Sequence, residues 1–172
     1  MAQRLGGVEG SEEFSAFVTT RYSSLLRFGY VLSGNADVAQ DLVQDALERT
    51  GAAWSRITRK DAPEAYVRRA MVNGFTSTWR RRRREWLTGD VPELAATPVD
   101  PDDALWPLLL ALPPRQRAVL VLRFYEDLSE SETARVLGVV PGTVKSQTSK
   151  GLAALRTALT RQQANREATW NR

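Results

Sequence analysis

The sequence predicts an all-α protein built from two small helical domains. Apolar residues recur at steps of three and four along most of the chain, and no segment shows the strict alternation of a half-buried strand. Residues that start and stop helices flank these periodic segments. A segment rich in acidic residues and proline separates them, and 172 residues suffice for two small domains. The expected bounds are a first domain at 12–84, an acidic linker at 85–103, a second domain at 104–160 and a C-terminal tail at 161–172.

Three helices account for the first domain. Apolar residues through 14–26 predict a first helix, which the Ser-Gly-Asn stretch at 33–35 should stop. A second helix is expected over about 36–54. A third begins near Pro63, because proline is favourable in the first turn of a helix, and it should end in the arginine run at 80–84.

The second domain also reads as helical. A short helix should either carry Pro107 in its first turn or be kinked by it, and another should start at the proline pair 113–114. Ser129 and Glu132 have the spacing of a capping box, which opens the next helix. Gly138 should end that helix in the left-handed conformation.

A helix follows that turn at once, so the pair predicts a helix-turn-helix. Its expected apolar face is Val144, Leu152, Leu155 and Leu159. Its N-terminal end is polar instead, and in a helix-turn-helix those residues meet base edges in the major groove. The candidate duplex-binding residues are Thr143, Lys145, Ser146, Gln147 and Lys150. The alternative is a surface helix with a solvated polar face.

Charge is distributed in blocks. Residues 65–84 hold seven arginines and no acid, whereas residues 85–103 hold six acids and no base. A run of arginines neutralises phosphates and gives salt-dependent binding, although a solvated basic segment is the other interpretation. Asn and Thr side chains beside these cations suit a single strand with unstacked bases. The candidates on this pattern are the arginine run 80–84 and, on the helix before it, Arg68, Arg69, Asn73, Thr76 and Ser77. Trp79 is expected to pack in the core and not to stack on a base.

An acidic ladder marks the second helix. Asp37, Asp41 and Asp45 repeat every four residues and share one face with Glu48. Like charges at this spacing destabilise a helix mildly, so such a face suits a basic partner. A solvated acidic face is the alternative.

Composition excludes several kinds of chemistry. The chain has neither Cys nor His, which rules out disulfides, Cys-based zinc sites and a Ser-His-Asp triad. No cofactor, metal site or catalytic residue is expected. The N-terminal residues lack the apolar core of a signal peptide and no run is long enough to span a membrane, so we expect a cytoplasmic protein without membrane insertion.

Four segments together resemble one protein family. They are DVAQDLVQDALERTGAAW at 37–54, AYVRRAMVNGFTSTWRR at 65–81, LPPRQRAVLVLRFYEDLSESETARVLGV at 112–139 and GTVKSQTSKGLAALR at 142–156. In this order and spacing they are similar to the extracytoplasmic-function (ECF) group of bacterial sigma factors, and the last is closest to the SigE-like subgroup.

The resemblance implies a function for each block. The first domain would be the σ2 domain, with Asp41, Leu42, Val43, Gln44 and Asp45 docking on the β′ clamp of core RNA polymerase. Arg68, Arg69, Arg80, Arg81 and Arg82 would hold the backbone of the −10 element, and Asn73 would be its promoter-contacting Asn. The second domain, σ4, would read the −35 element and meet the β flap. The acidic linker would be the σ2–σ4 connector, and an anti-sigma factor is a further implied partner.

Other functions explain less of the sequence. A stand-alone helix-turn-helix regulator accounts for residues 129–159 but not for the acidic helix, the basic third helix or the linker, and it usually needs a dimer face. A metal-dependent nuclease would not place its acids as an exposed ladder. Membrane binding by the arginine run lacks an adjacent apolar face.

Overall fold

The computed structural model describes residues 2–57, 63–88 and 105–170, with side chains described for 10–57, 63–81 and 105–167. Every regular element in these ranges is a helix, which confirms the predicted all-α class. The chain divides into two compact units, Met1–Arg81 and Arg82–Arg172.

Eight α-helices and one π-helical turn make up the described part of the chain. They are α1 (Ala2–Ser33), α2 (Ala36–Ala52), α3 (Trp54–Ile57), α4 (Pro63–Thr88), α5 (Leu105–Ala111), α6 (Pro114–Leu120), the π turn (Val121–Tyr125), α7 (Glu130–Leu137) and α8 (Pro141–Trp170).

The junction between α1 and α2 follows local rules. Gly34 has a φ of 76° and ends α1 in the left-handed region, where a glycine avoids the Cβ clash. The Asn35 side chain then caps α2 by accepting a hydrogen bond from the N–H of Val38 at 2.9 Å. The predicted stop at 33–35 is confirmed.

Helices α1, α2 and α4 pack closely in the first unit. At Gly29 of α1, an added Cβ would lie 3.1 Å from Met71 Cε and 3.2 Å from the Cα of Ala39, so the absent side chain lets the backbones approach. Phe14 and Phe17 both pack against Trp54. The ring centroid of Phe14 lies 5.1 Å from that of Trp54, and the ring centroid of Phe17 lies 5.2 Å from it. The buried apolar residues are Leu25, Phe28, Leu32, Ala39, Leu42, Val43, Ala46, Trp54, Ile57, Val67, Met71, Val72 and Phe75.

Two predicted boundaries were wrong. The second helix ends at Ala52, and the short α3 follows it. The third helix does not end in the arginine run at 80–84 but continues to Thr88. Arginine has high helix propensity, so a run of it does not stop a helix. The remainder of the proposed linker, 89–103, lies outside the described residues.

A buried arginine of α6 forms hydrogen bonds with the end of α5 in the second unit. Pro107 lies within the first turn of α5, and α6 begins at Pro114, as predicted. Arg117 of α6 is 5% exposed, and its guanidinium donates hydrogen bonds to the carbonyls of Leu110 and Leu112 at the end of α5. Burial lowers the pKa of Arg117 to about 10, so it remains protonated at neutral pH.

A π-helical turn, which the sequence did not indicate, continues α6. The N–H of Glu126 donates to the carbonyl of Val121 at 3.0 Å, which closes the wide turn. Asp127 follows with a φ of 51°, an uncommon conformation for a residue with a Cβ. Phe124 and Tyr125 are left 61% and 48% exposed.

Helix α8 is anchored by a face that differs from the predicted one. Val144 is fully buried and Leu155 is 8% exposed, as expected, but Leu152 is 40% exposed and does not belong to the buried face. The neighbouring residue Gly151 is buried instead. It packs so closely against Leu120 that an added Cβ would lie 3.0 Å from Leu120 Cδ1. Leu120 and Leu155 in turn share a core with Leu112.

Replacing Gly151 by Ala should destabilise the protein. The new Cβ would overlap the buried Leu120 side chain, and overpacking costs about 1–3 kcal/mol, more than the gain of about 1 kcal/mol in helix propensity. Urea unfolding of the full chain measures the difference. Gly142→Ala is the matched control, because no atom lies within 4 Å of its added Cβ and we expect unchanged or increased stability. A gain of stability in both variants would contradict this packing.

Candidate nucleic-acid and polymerase interfaces

One face of α4 is an exposed polar stripe. Arg69, Asn73, Ser77, Arg80 and Arg81 are all exposed, and their spacing of four, four, three and one places them on one side of the helix. Four of the six residues predicted to bind the −10 element therefore lie together. Arg82 lies outside the residues whose side chains are described.

Arg68 is separated from this stripe. Its guanidinium lies 2.9 Å from a carboxylate oxygen of Glu64 and 6.0 Å from the centre of the Phe28 ring. Only 14% of its side chain is exposed. Sequence alone could not distinguish Arg68 from Arg69, because the two differ only in their position around the helix.

Two other polar or aromatic residues of α4 face inward. Thr76 is 7% exposed, and its hydroxyl donates to the carbonyl of Val72 at 2.8 Å. It is therefore not available to a nucleic acid. Trp79 is half-buried, as expected for a mainly structural aromatic residue.

The outer face of α2 is acidic and exposed. Asp41, Gln44 and Asp45 are exposed, whereas Leu42 and Val43 are 5% and 0% exposed. The predicted polymerase-binding segment thus contains three surface residues and two core residues. Because Leu42 and Val43 are held in the core, the three polar side chains point away from it. Gln44 also donates a hydrogen bond to Glu48 at 3.2 Å.

An open groove of about 580 Å³ lies between α1 and α2 beside this acidic face. The sequence did not predict it, because its walls come from two helices. Tyr22 in its wall is 42% exposed. The groove is lined by Phe14, Val18, Tyr22, Gln40, Gln44, Leu47, Glu48 and Gly51.

The helix-turn-helix forms as predicted from its caps. Ser129 accepts a hydrogen bond from the N–H of Glu132 at 3.2 Å, and Glu132 accepts one from the N–H of Ser129 at 2.8 Å. This capping box starts α7. Gly138, with a φ of 65°, ends it. Buried Val144 then packs with Val119 and Ala134, which holds the start of α8 against the rest of the unit.

The first turns of α8 display the candidate duplex-binding side chains. Thr143, Lys145, Ser146 and Lys150 are exposed, and Gln147 is half-buried. Four of the five predicted residues are therefore exposed in the first turns of α8, while Gln147, three positions after buried Val144, lies at the edge of this surface. Val140, just before the helix, is 67% exposed and was not singled out from the sequence.

The capping box perturbs one titratable group. Hydrogen bonds from the Ser129 hydroxyl and backbone N–H favour the charged form of Glu132 and lower the pKa of its carboxyl group, with a smaller contribution from Arg135. A capping carboxylate at a helix start also complements the helix dipole. The stability of the capping box at the start of α7 therefore depends on pH.

Neither a cluster of metal ligands nor a membrane-spanning helix occurs in the described part of the chain. Where side chains are described, at 10–57, 63–81 and 105–167, no three acidic side chains come together as metal ligands. The helices within 2–57, 63–88 and 105–170 are too short or too polar for one of them to cross a membrane.

Comparison with known families matches both units. The Sigma-70 region 2 family matches residues 14–85, and the Sigma-70, region 4 family matches residues 102–155. The two matches contain the exposed stripe of α4 and the helix-turn-helix, respectively. The fold and these two regions define a sigma-70-type transcription initiation factor.

Individual relatives indicate the group of sigma-70 factors to which the chain belongs. The RNA polymerase sigma-E factor of Streptomyces coelicolor is 43% identical over 152 residues, which cover 86% of this chain and 86% of that protein. The ECF RNA polymerase sigma factor EcfG of Rhodopseudomonas palustris is 31% identical over 143 residues and 79% of each chain. The chain belongs to the sigma-70 family, in its ECF group, and it is similar to sigma-E factors of that family.

Solved structures agree with this assignment. The sigma factor RpoE from Bartonella quintana, crystallised in complex with the anti-sigma factor NepR, is 25% identical to this chain. It aligns with a TM-score of 0.68 over 87% of this chain and 98% of that chain. Members of the sigma family are non-catalytic initiation factors.

Glu132→Ala should make stability less dependent on pH. The folded-state pKa of Glu132 is lowered, so its contribution is present above the unfolded-state pKa and is lost as the pH falls through the folded-state value. Urea unfolding at pH 7 should show the variant to be less stable than the wild type, and the gap should narrow toward pH 3. Glu13→Ala, at an exposed position of α1, is the control. A gap that stays constant with pH would contradict the coupling.

Proposed function

We propose that this ECF sigma factor binds core RNA polymerase and directs it to promoters by contacting the −10 element with its first unit and the −35 element with its second. The protein performs no catalysis itself and works in the cytoplasm, where the polymerase is. The observation that carries the proposal is the ordered pair of matches to sigma regions 2 and 4, each with an exposed polar surface.

The −35 duplex is assigned to the start of α8. Lysine meets guanine acceptors or phosphates, glutamine pairs with adenine, and serine serves either partner. Exposed Lys145 and Ser146 have these chemistries, and half-buried Gln147 lies at the edge of the same surface. Thr143 and Lys150 extend it on either side.

The −10 element is assigned to the exposed stripe of α4. Cations along one helix face neutralise successive phosphates, and Asn73 lies between Arg69 and Arg80 with an amide suited to a base edge. Unstacking a base costs a few kcal/mol, which phosphate contacts offset. Arg82 is included in the proposal from its place in the arginine run.

Core polymerase is assigned to the acidic face of α2. Asp41, Gln44 and Asp45 project from a helix whose inner residues Leu42 and Val43 are fixed in the core. A rigid acidic face complements a basic partner surface, and we assign that surface to the β′ clamp. The β flap is assigned to the second unit.

An anti-sigma factor completes the proposed set of partners. RpoE of Bartonella quintana is bound to NepR in a structure to which this chain is similar. By analogy, a regulator of this type would block the polymerase-binding surfaces. A stand-alone helix-turn-helix regulator is not favoured, because it leaves the region 2 match unexplained.

Lys145→Ala should lower transcription from a cognate promoter about tenfold. It removes one base or phosphate contact, and such a contact is worth about 1–3 kcal/mol. Run-off transcription with reconstituted holoenzyme measures the loss, and binding to core polymerase should not change. Arg156→Ala removes the same charge from an exposed position further along α8 and should leave transcription near the wild-type level. Equal losses in both variants would contradict the assignment of the −35 surface.

Replacing Asp41 and Asp45 together by Ala should weaken binding to core polymerase about tenfold or more, because charge pairs across an interface are lost. Affinity is measured by titrating labelled protein with core enzyme. The matched control is Glu12→Ala with Glu13→Ala, which removes two exposed acids from α1. Normal affinity in the Asp41/Asp45 variant would show that this face of α2 does not bind the polymerase.

A further inference from the structure

Three charged residues join α1 to the start of α4. Glu64 lies one residue after the first residue of α4, and one of its carboxylate oxygens is 2.9 Å from Nη1 of Arg68. Its other oxygen is 3.6 Å from Nη2 of Arg21 on α1. The guanidinium of Arg68 also lies 6.0 Å from the ring centre of Phe28, a fully buried residue of α1.

The Arg68–Glu64 pair of this cluster is partly shielded from solvent, whereas Arg21 lies nearer the surface. The exposed fractions of the side chains are 14% for Arg68, 28% for Glu64 and 48% for Arg21. Ion pairs that are partly buried are screened by salt much less than exposed ones. A guanidinium over an aromatic face gains a further cation–π attraction. Removal of Arg68 or Glu64 breaks the ion pair at 2.9 Å and leaves the remaining group partly buried, which is destabilising.

The next residue along the helix has a different environment. Consecutive residues of an α-helix point about 100° apart, so Arg69 projects into solvent on the exposed stripe while Arg68 turns toward α1. A phosphate reaching Arg68 would have to displace the Glu64 carboxylate and withdraw the guanidinium from Phe28. Arg69 makes no ion pair with a residue whose side chain is described, so a phosphate reaching it has no such pair to break.

We infer that Arg68 is a positioning residue, and not a DNA contact, and that with Glu64 and Arg21 it fixes the first turns of α4 against α1. The inference rests on the proposed function, because what α4 positions is the stripe assigned to the −10 element. Phosphate binding in the first turns of α4 is then left to Arg69. The cluster also sets the direction in which Asn73, one turn further on, points.

The matched pair Arg68→Met and Arg69→Met tests this division of roles. Methionine retains an unbranched apolar stem and removes the charge in both cases. Two measurements are made on each full-length variant: the Tm of the free protein, and the salt dependence of promoter binding by the reconstituted holoenzyme. A lost phosphate contact reduces the slope of log K against log[salt] by about 0.7–0.9.

The two variants should behave in opposite ways. Arg68→Met should lower the Tm by about 4 °C or more and leave the salt slope at the wild-type value. Arg69→Met should leave the Tm unchanged and reduce the slope. Glu64→Gln should also lower the Tm. The double variant Glu64→Gln/Arg68→Met should lose less Tm than the two single variants lose together, because both changes break the same ion pair. A reduced slope with a normal Tm in Arg68→Met would overturn the inference.

Glu64→Gln also keeps the test decisive if Arg68→Met yields no folded protein. A lower Tm with an unchanged salt slope supports the positioning role. An unchanged Tm, or tighter promoter binding, overturns it, because Glu64 would then only compete with phosphate for an available arginine. Failure of the proposed function is distinguishable, since the wild-type holoenzyme itself would not bind promoters while the Tm results would stand.

Discussion

The packing of α4 against α1 and α2 determines which of its side chains can reach a nucleic acid. Gly29 lets Met71 approach α1, and an added Cβ at Gly74 would lie 3.1 Å from Leu42 of α2. These contacts fix the rotation of α4 about its own axis. Once Met71 and its neighbours are inside, Arg69 and Asn73 must be outside, since a helix cannot bury both sides of such a polar segment at acceptable cost.

The same constraint operates in the second unit with different residues. Burial of Val144 among Val119 and Ala134 fixes the rotation of α8, and Lys145 and Ser146 are exposed as a consequence. The capping box of α7 and Gly138 control where the two helices meet. The buried Arg117 donates to the carbonyls of Leu110 and Leu112, which otherwise would lack partners within the helix at the end of α5.

Local signals in the sequence predicted most of the fold, and the misses have physical causes. Pro63, the Ser129–Glu132 pair and Gly138 act through the backbone within a few residues, so their effects were foreseeable. Leu152 was misplaced because the buried position beside it is Gly151, whose role is close approach to Leu120 and not hydrophobicity. The candidate surfaces were located by charge and by family resemblance, but Arg68 could be separated from Arg69 only by seeing what each one contacts.

Run-off transcription with sigma-free core polymerase, with and without this protein, tests the central claim most directly. The template pool should vary the −35 and −10 elements independently. A sigma factor that uses both units predicts protein-dependent transcripts from the subset of templates that carries both matching elements. No transcript, together with specific duplex binding by the protein alone, would contradict the account and indicate a helix-turn-helix regulator that acts without forming a holoenzyme.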